Sequence, residues 1–154
     1  MLAFSTRDGL AVYDMANCRQ LFRGGPMPTK LQWSADGTLL LAVSEIGLDV
    51  YDANGHVVAK SIGVDDAAFV GETHEVAVLR DGSAFVLGAA PVFRATGLRQ
   101  IVSSPDGEWL LLTWPAANQW VFVRVAAPHR LSAVSGITRQ FGGDGFPNVS
   151  GWVK

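Results

Sequence analysis

The chain has 154 residues, 49% of them hydrophobic and 17% charged, with a formal net charge of −2. That length suffices to bury a core unaided, and that composition excludes a disordered chain. The charges are scattered and slightly acidic, which argues against a basic groove for nucleic-acid phosphates. No apolar run approaches the ~20 residues that a membrane helix needs.

The start, "MLAFSTRDG", meets charge and a turn at once, so no signal peptide is read there and a soluble domain of unknown compartment is expected. Short runs rich in β-branched and aromatic residues follow in order: "LAFS", "LAVYD", "LLLAVS", "LDVYD", "EVAVLR", "AFVLG", "WLLLTW" and "WVFVRV". Asp8-Gly9, Asp36-Gly37, Asn54-Gly55, Asp81-Gly82 and Asp106-Gly107 separate neighbouring runs. Glycine reaches positive φ without steric penalty, which is why these dipeptides mark hairpins. Nowhere do apolar residues keep helical spacing for a dozen residues without Gly or Pro, so the chain reads as all-β. The single cysteine, Cys18, permits no disulfide within the chain and is expected as a half-buried strand residue.

The spacings show a repeat. Gly9-Leu10-Ala11-Val12-Tyr13-Asp14 returns as Gly47-Leu48-Asp49-Val50-Tyr51-Asp52, 38 residues later. Ser34-Ala35-Asp36-Gly37 returns as Ser104-Pro105-Asp106-Gly107, 70 residues later, about two units. Between them, Gly71-Glu72-Thr73-His74 opens a degenerate copy. Units of about 35–40 residues with four strands each are the pattern of β-propeller blades. The reading is one domain, 1–154, of about four blades of four antiparallel strands, at 30–62, 65–96 and 98–135, with three strands of a first blade at 2–23. The segment 146–153 looks like a spare innermost strand that could complete that first blade. Alternatively, it opens a fifth blade of a longer protein.

"STRDGLAVYDMANCRQLF" and "LQWSADGTLLLAVSEIGLDVYDANGHVV" resemble WD40-type and TolB-type propeller repeats. In those families a Trp-Ser-Pro-Asp-Gly-like turn joins the first two strands, and a Trp-Asp or Tyr-Asp pair ends the third. Trp33-Ser34-Ala35-Asp36-Gly37, Ser104-Pro105-Asp106-Gly107, Tyr13-Asp14 and Tyr51-Asp52 match. The Gly-His pair of WD40 blades is absent, so their Asp-His-Ser-Trp network is not carried over, and the looser TolB-type repeat is the nearer likeness. Such a resemblance speaks to fold far more than to function.

Chemistry-bearing constellations are sparse. His56, His74 and His129 fall at turns of different blades, without the close spacing that zinc ligands need. Asp65, Asp66 and Glu72 form the densest acidic group, but adjacent strand residues point to opposite faces. No Gly-x-Ser-x-Gly elbow is present, and "RGGP" and "GGDG" do not lie between a strand and a helix. No catalytic residue, metal site or cofactor is therefore expected. Trp33 and Trp152 are expected at equivalent ends of first strands, Trp109 and Trp120 at strand starts, and Trp114 beside a loop.

The leading functional expectation is a non-catalytic protein-interaction or scaffold module. Its binding surface would be the loops at one end of the blades, with Arg7, Met27, Glu45, Asp65, Arg80, Trp114 and Gln119 as the candidate partner-binding residues. A protein or peptide is the expected partner, with a homodimer through open blade edges as a further option. Neither nucleic acid nor membrane insertion is expected. The alternative is a hydrolase or lyase working at the channel mouth of a complete or dimeric propeller. Arginine outnumbers lysine nine to three, a weak pointer to a high-GC bacterial source.

Overall fold

The structure, a computed structural model, describes residues 1–141 and 145–152. These form two compact units, Met1–Val64 and Asp65–Lys154. Every sheet in them is an antiparallel meander in which each strand pairs with the next in sequence.

The first unit holds two sheets. Strands β1 (Leu2–Thr6), β2 (Gly9–Asp14) and β3 (Arg19–Gly24) form one of three strands. Strands β4 (Pro28–Trp33), β5 (Leu39–Ser44), β6 (Gly47–Asp52) and β7 (Val57–Ile62) form one of four. Leu10 and Val12 of β2 meet Leu40 and Ala42 of β5 and Tyr51 of β6 in one apolar cluster. The period of two explains the selection: Leu40 pairs with Tyr51 and Ala42 with Asp49, so those four share a face. On that face Asp49 is a buried acid, with the Lys60 ammonium directly across the strand pair at 3.4 Å. Burial, with the Asp49 charge beside it, pushes the Tyr51 phenol above its ordinary value.

The 38-residue echo has a physical cause in two hairpins. Thr6 Oγ1 donates to the Gly9 carbonyl, and Ser44 Oγ donates to that of Gly47. The two glycines open β2 and β6 at φ +113° and +148°. A Cβ there would come within 2.3 Å of the Gly25 carbonyl oxygen and 2.2 Å of the Ser61 carbonyl oxygen, respectively. Only glycine fits where the outermost strand approaches so closely. The echoing Tyr-Asp pairs end in caps. Asp14 Oδ1 accepts from Ala16 N–H at 3.0 Å, and Asp52 Oδ1 accepts from Asn54 N–H at 2.8 Å.

The second unit repeats the plan. Strands β8 (Asp66–Phe69), β9 (Val76–Arg80), β10 (Ser83–Val86) and β11 (Phe93–Arg94) form one sheet. Strands β12 (Gln100–Ser103), β13 (Trp109–Trp114), β14 (Gln119–Arg124) and β15 (Leu131–Ser135) form the other, followed by the short helix α1 (Ile137–Phe141). Ala77, Leu79, Ala84 and Val86 meet Ile101, Leu110, Leu112, Val121 and Val123 in the core between these sheets. A buried carboxylate ties the two innermost strands: Asp66 accepts from its neighbour Ala67 N–H and from Ile101 N–H, each at 2.9 Å. Asp65 is exposed, so the adjacent pair does diverge.

Two expectations are revised. Cys18 is exposed in the turn between β2 and β3, at φ +50°, where Asp14 organises the backbone instead of extending the strand. The segment 146–152 forms no strand among the described residues, and residue 153 lies outside them. The segment lies instead against the last sheet. Val149 N–H donates to Gln100 Oε1 at 3.0 Å, and the Trp152 ring stands edge-on to Phe122 at 5.8 Å. The first sheet consequently has three strands, with β1 at its edge.

The caps predict a pH dependence. The Asn17 side-chain amide, helped by backbone N–H groups, holds Asp14 below the usual carboxylate range. The His56 backbone N–H does most to lower Asp52. A folded pKa below the unfolded value of about 3.9 gives stability that is present above that pH and lost as pH falls through the folded values. Melting temperature measured from neutral pH down to about 2.5 should decline below about pH 4. A variant carrying both Asp14→Asn and Asp52→Asn should show a shallower decline over the same range.

Candidate functional site

Each strand pair β4–β5 and β12–β13 is joined by the same turn, and the reason is local. In the first unit Ser34 Oγ donates to Asp36 Oδ1 and accepts from Leu39 N–H, while Thr38 N–H donates to the same Asp36 oxygen. In the second unit Ser104 Oγ donates to Asp106 Oδ1 and accepts from Trp109 N–H, and Glu108 N–H donates to Asp106 Oδ1. The serine side chain satisfies the backbone of the returning strand, and the aspartate satisfies the serine. Gly37 and Gly107 each donate N–H to the serine carbonyl at 2.9 Å and take positive φ. The β8–β9 turn is the degenerate copy. Val70 stands where the serine would, and Thr73 Oγ1 donates to the Val70 carbonyl and accepts from Glu75 N–H.

The β8–β9 and β12–β13 turns lie side by side. Gly71 N–H donates to Ser103 Oγ at 3.0 Å. A Cβ on Gly71, whose φ is +55°, would come within 2.5 Å of Gly107 N. Beside this contact opens a cleft of about 670 Å³. Glu72 and Thr73 line it from one turn, Pro105 and Asp106 from the other, with Trp109 at the start of β13 and Trp152 from the C-terminal segment. That volume lies in the range of small-ligand and peptide sites. The Ser104 hydroxyl, more than any other contact, holds Asp106 below the usual carboxylate range, so it is ionised at neutral pH. Asp106 uses Oδ1 for the turn, and no partner of Oδ2 is found among the described residues. The Trp152 indole N–H is buried without an acceptor among the described residues.

The residues expected from sequence lie elsewhere. In the first unit Arg7 and Glu45 are exposed on the β1–β2 and β5–β6 turns, and Met27 is 57% exposed before β4. In the second unit Asp65 Oδ2 accepts from Asp81 N–H at 3.1 Å, which brings Asp65 to the turn that Arg80 enters. Asp65, Thr96 and Arg99 line a separate cleft of about 500 Å³. The Arg80 guanidinium lies 5.6 Å from the centroid of the Phe85 ring. Trp114 and Gln119 share a shallow groove of about 230 Å³. Trp114 is half-buried there, its indole N–H donating to the Thr96 carbonyl at 2.9 Å and its ring edge-on to Phe93. Gln119 Nε2 donates to Ser135 Oγ. The structure thus brings Asp65 to the turn that follows Arg80, and Trp114 into one groove with Gln119. It does not gather them around one cavity within their unit.

The Trp109–Trp152 cleft escaped sequence reasoning because Trp152 reads as the end of a strand it does not form. One signal was present: residues 71–75 and 104–108 hold four acids and no Lys or Arg. Of the histidines, His56 Nδ1 bonds Asp52, His129 Nδ1–H donates to the Arg124 carbonyl, and His74 is exposed in the β8–β9 turn. Among the described residues, no group of three or more His, Cys, Asp or Glu could hold a metal ion, and no helix is long and apolar enough to cross a membrane.

The close approach of the turns is testable. Gly88, at φ +86°, has nothing within 4 Å of an added Cβ, so Gly88→Ala should cost only about 1 kcal/mol. Gly71→Ala adds a backbone clash to the same conformational cost and should lose about 2–3 kcal/mol in chemical denaturation. Equal losses for the two variants would show that the turns can separate freely.

The fold is that of β-propeller blades. Dihydro-heme d1 dehydrogenase NirN, solved in complex with DHE, is similar over 86% of this chain and 34% of its own, with 20% identity and a TM-score of 0.61. An auxiliary nutrient binding protein from Bacteroides ovatus is similar over 84% of this chain and 37% of its own, with 13% identity and a TM-score of 0.57. Hsv2 from Kluyvelomyces marxianus is similar over 87% of this chain and 56% of its own, with 10% identity and a TM-score of 0.53. NirN and Hsv2 are β-propellers. The chain spans about a third of the length of the first two and a little over half of the third. At these identities the likeness is one of fold. No family model and no curated protein sequence matches the chain.

Proposed function

We propose that these blades form a non-catalytic interaction module, WD40-like or TolB-like in its repeats, that holds a protein or peptide partner in the Trp109–Trp152 cleft. The observation that carries this reading is the pair of half-buried tryptophans lining a cleft of about 670 Å³. Large rigid aromatics bury much area at low entropic cost and dominate the energetics of interfaces. The turns beneath them are fixed by side-chain to backbone bonds, so the site is held in place before a partner arrives.

Selection of a random displayed peptide library on the intact chain tests the proposal. Enriched peptides should lose at least about tenfold in affinity on Trp109→Ala, as expected for an aromatic hot spot. If every selected peptide binds Trp109→Ala as well as the parent, the cleft is not the binding surface.

A second reading, assembly through sheet edges, is favoured by β1. It lies at the edge of a three-stranded sheet and exposes 48% of Leu2 and 39% of Phe4. An unpaired apolar edge is a template for another strand. Light scattering over a range of concentrations should then show a dimer, and Phe4→Lys should return it to the monomer mass near 16.4 kDa.

A further inference from the structure

Resting on the interaction reading of the Trp109–Trp152 cleft, we infer that its occupant is the arginine side chain of a basic peptide segment. Three features of the cleft select that chemistry.

The first is charge. Glu72 and Asp106 line the cleft from opposite turns, and Glu75 and Glu108 are exposed on the same two turns. Residues 71–75 and 104–108 hold four acids and no Lys or Arg. Asp106 is kept ionised by Ser104 and retains one oxygen outside the turn's bonds. Phosphate or carboxylate ligands meet repulsion here, whereas a cation is attracted.

The second is the aromatic lining. A cation over an indole face gains from the ring quadrupole, and tryptophan is the strongest of the aromatic partners. Among protein cations, the guanidinium alone combines a flat face that stacks on an indole with a fork of N–H donors matched to carboxylates. With carboxylates at both flanks and tryptophan in the wall, arginine is favoured over lysine.

The third is a comparison within the chain. The Ser34–Thr38 turn has the same hydrogen-bonded frame, with Asp36 in the place of Asp106. Val70 and Glu72 of the neighbouring turn, and the tryptophan of the C-terminal segment, belong to the second unit alone. The frame is therefore general to the fold, and the acidic, tryptophan-lined cleft is a local addition to it.

The probes are fluorescein-labelled octapeptides of alternating Gly and Arg, Gly and Lys, or Gly and citrulline, followed by anisotropy on the full chain. The arginine peptide should bind about tenfold more tightly than the citrulline peptide, which keeps the shape and loses the charge, and more tightly than the lysine peptide. Glu72 is exposed, so Glu72→Gln removes charge without touching the core, and it should weaken the arginine peptide several-fold. Asp106→Asn should do the same, while Asp81→Asn, which removes an exposed charge at the opposite end of β9 beside a different cleft, should leave affinity unchanged and so control for net charge. If the arginine and citrulline peptides bind equally, or Asp81→Asn weakens binding as much as Asp106→Asn, the arginine assignment is overturned. Should library peptides still require Trp109 in that case, the interaction reading stands and only the ligand chemistry is wrong. Should they not require it, both fall together.

Discussion

The structure depends on one constraint: its middle strands are apolar on both faces. Leu40, Leu41, Ala42 and Val43 are all buried in β5, and so are Leu110, Leu111 and Leu112 in β13. A sheet with such a strand at its centre cannot leave either face in water, because each exposed leucine or valine side chain forgoes about 1.5–3 kcal/mol. Stacking of sheets is the solution, and each unit does so with its own cluster. Leu10 and Val12 against Leu40 and Ala42 form one; Leu79 and Ala84 against Ile101 and Leu110 form the other. The demand falls unequally on the edge strands: β8 is buried throughout, whereas β7 is released from it. That is why β7 carries exposed Val57, Val58 and Ile62 without penalty to the core.

Stacked sheets bring their turns together, and the turns then need a conformation that survives close approach. The Ser-x-Asp-Gly frame provides it by satisfying backbone donors locally, with serine bonded to the returning strand and aspartate bonded to serine. Glycine completes the frame where backbones touch, as at Gly71 against Gly107. Where the frame degenerates, threonine substitutes through its own hydroxyl. Asp36 meets the Thr38 hydroxyl with both oxygens, whereas Asp106 serves its turn through Oδ1 alone and keeps the other oxygen at a cleft. A structural motif and a binding surface share the same residue without conflict, because a carboxylate has two acceptors.

The repeat pattern and the turn dipeptides made the blades legible in sequence, since period-two alternation and Asp-Gly or Asn-Gly turns act over a few residues. The echo of Gly9 in Gly47 and of Ser34 in Ser104 marked equivalent hairpins and equivalent turns, and the structure supplies their shared bonds. The candidate site was legible only in part. Asp65 lies just before β8, and Arg80, Trp114 and Gln119 stand at strand ends beside turns, yet Trp114 spends its N–H on the Thr96 carbonyl and its ring on Phe93. Trp152 ends a segment with the strand-like pattern of Pro28–Trp33, and pattern alone does not reveal whether a partner strand is within reach. Cys18 misled for a related reason: a lone cysteine behaves as a small hydrophobe that suits a strand, but Asp14 four residues earlier closes the turn first.

By itself, then, the sequence determined the all-β class, the repeating unit and the turn chemistry, all of which arise from neighbours along the chain. Only the tertiary structure decided which turns lie side by side, which carboxylates keep a free oxygen, and where Trp152 packs. Those outcomes depend on contacts between residues some 30 to 50 positions apart, such as Gly71 with Ser103 and Val149 with Gln100. No local pattern encodes them, because they are set by how apolar faces stack and not by the order of residues within any one strand.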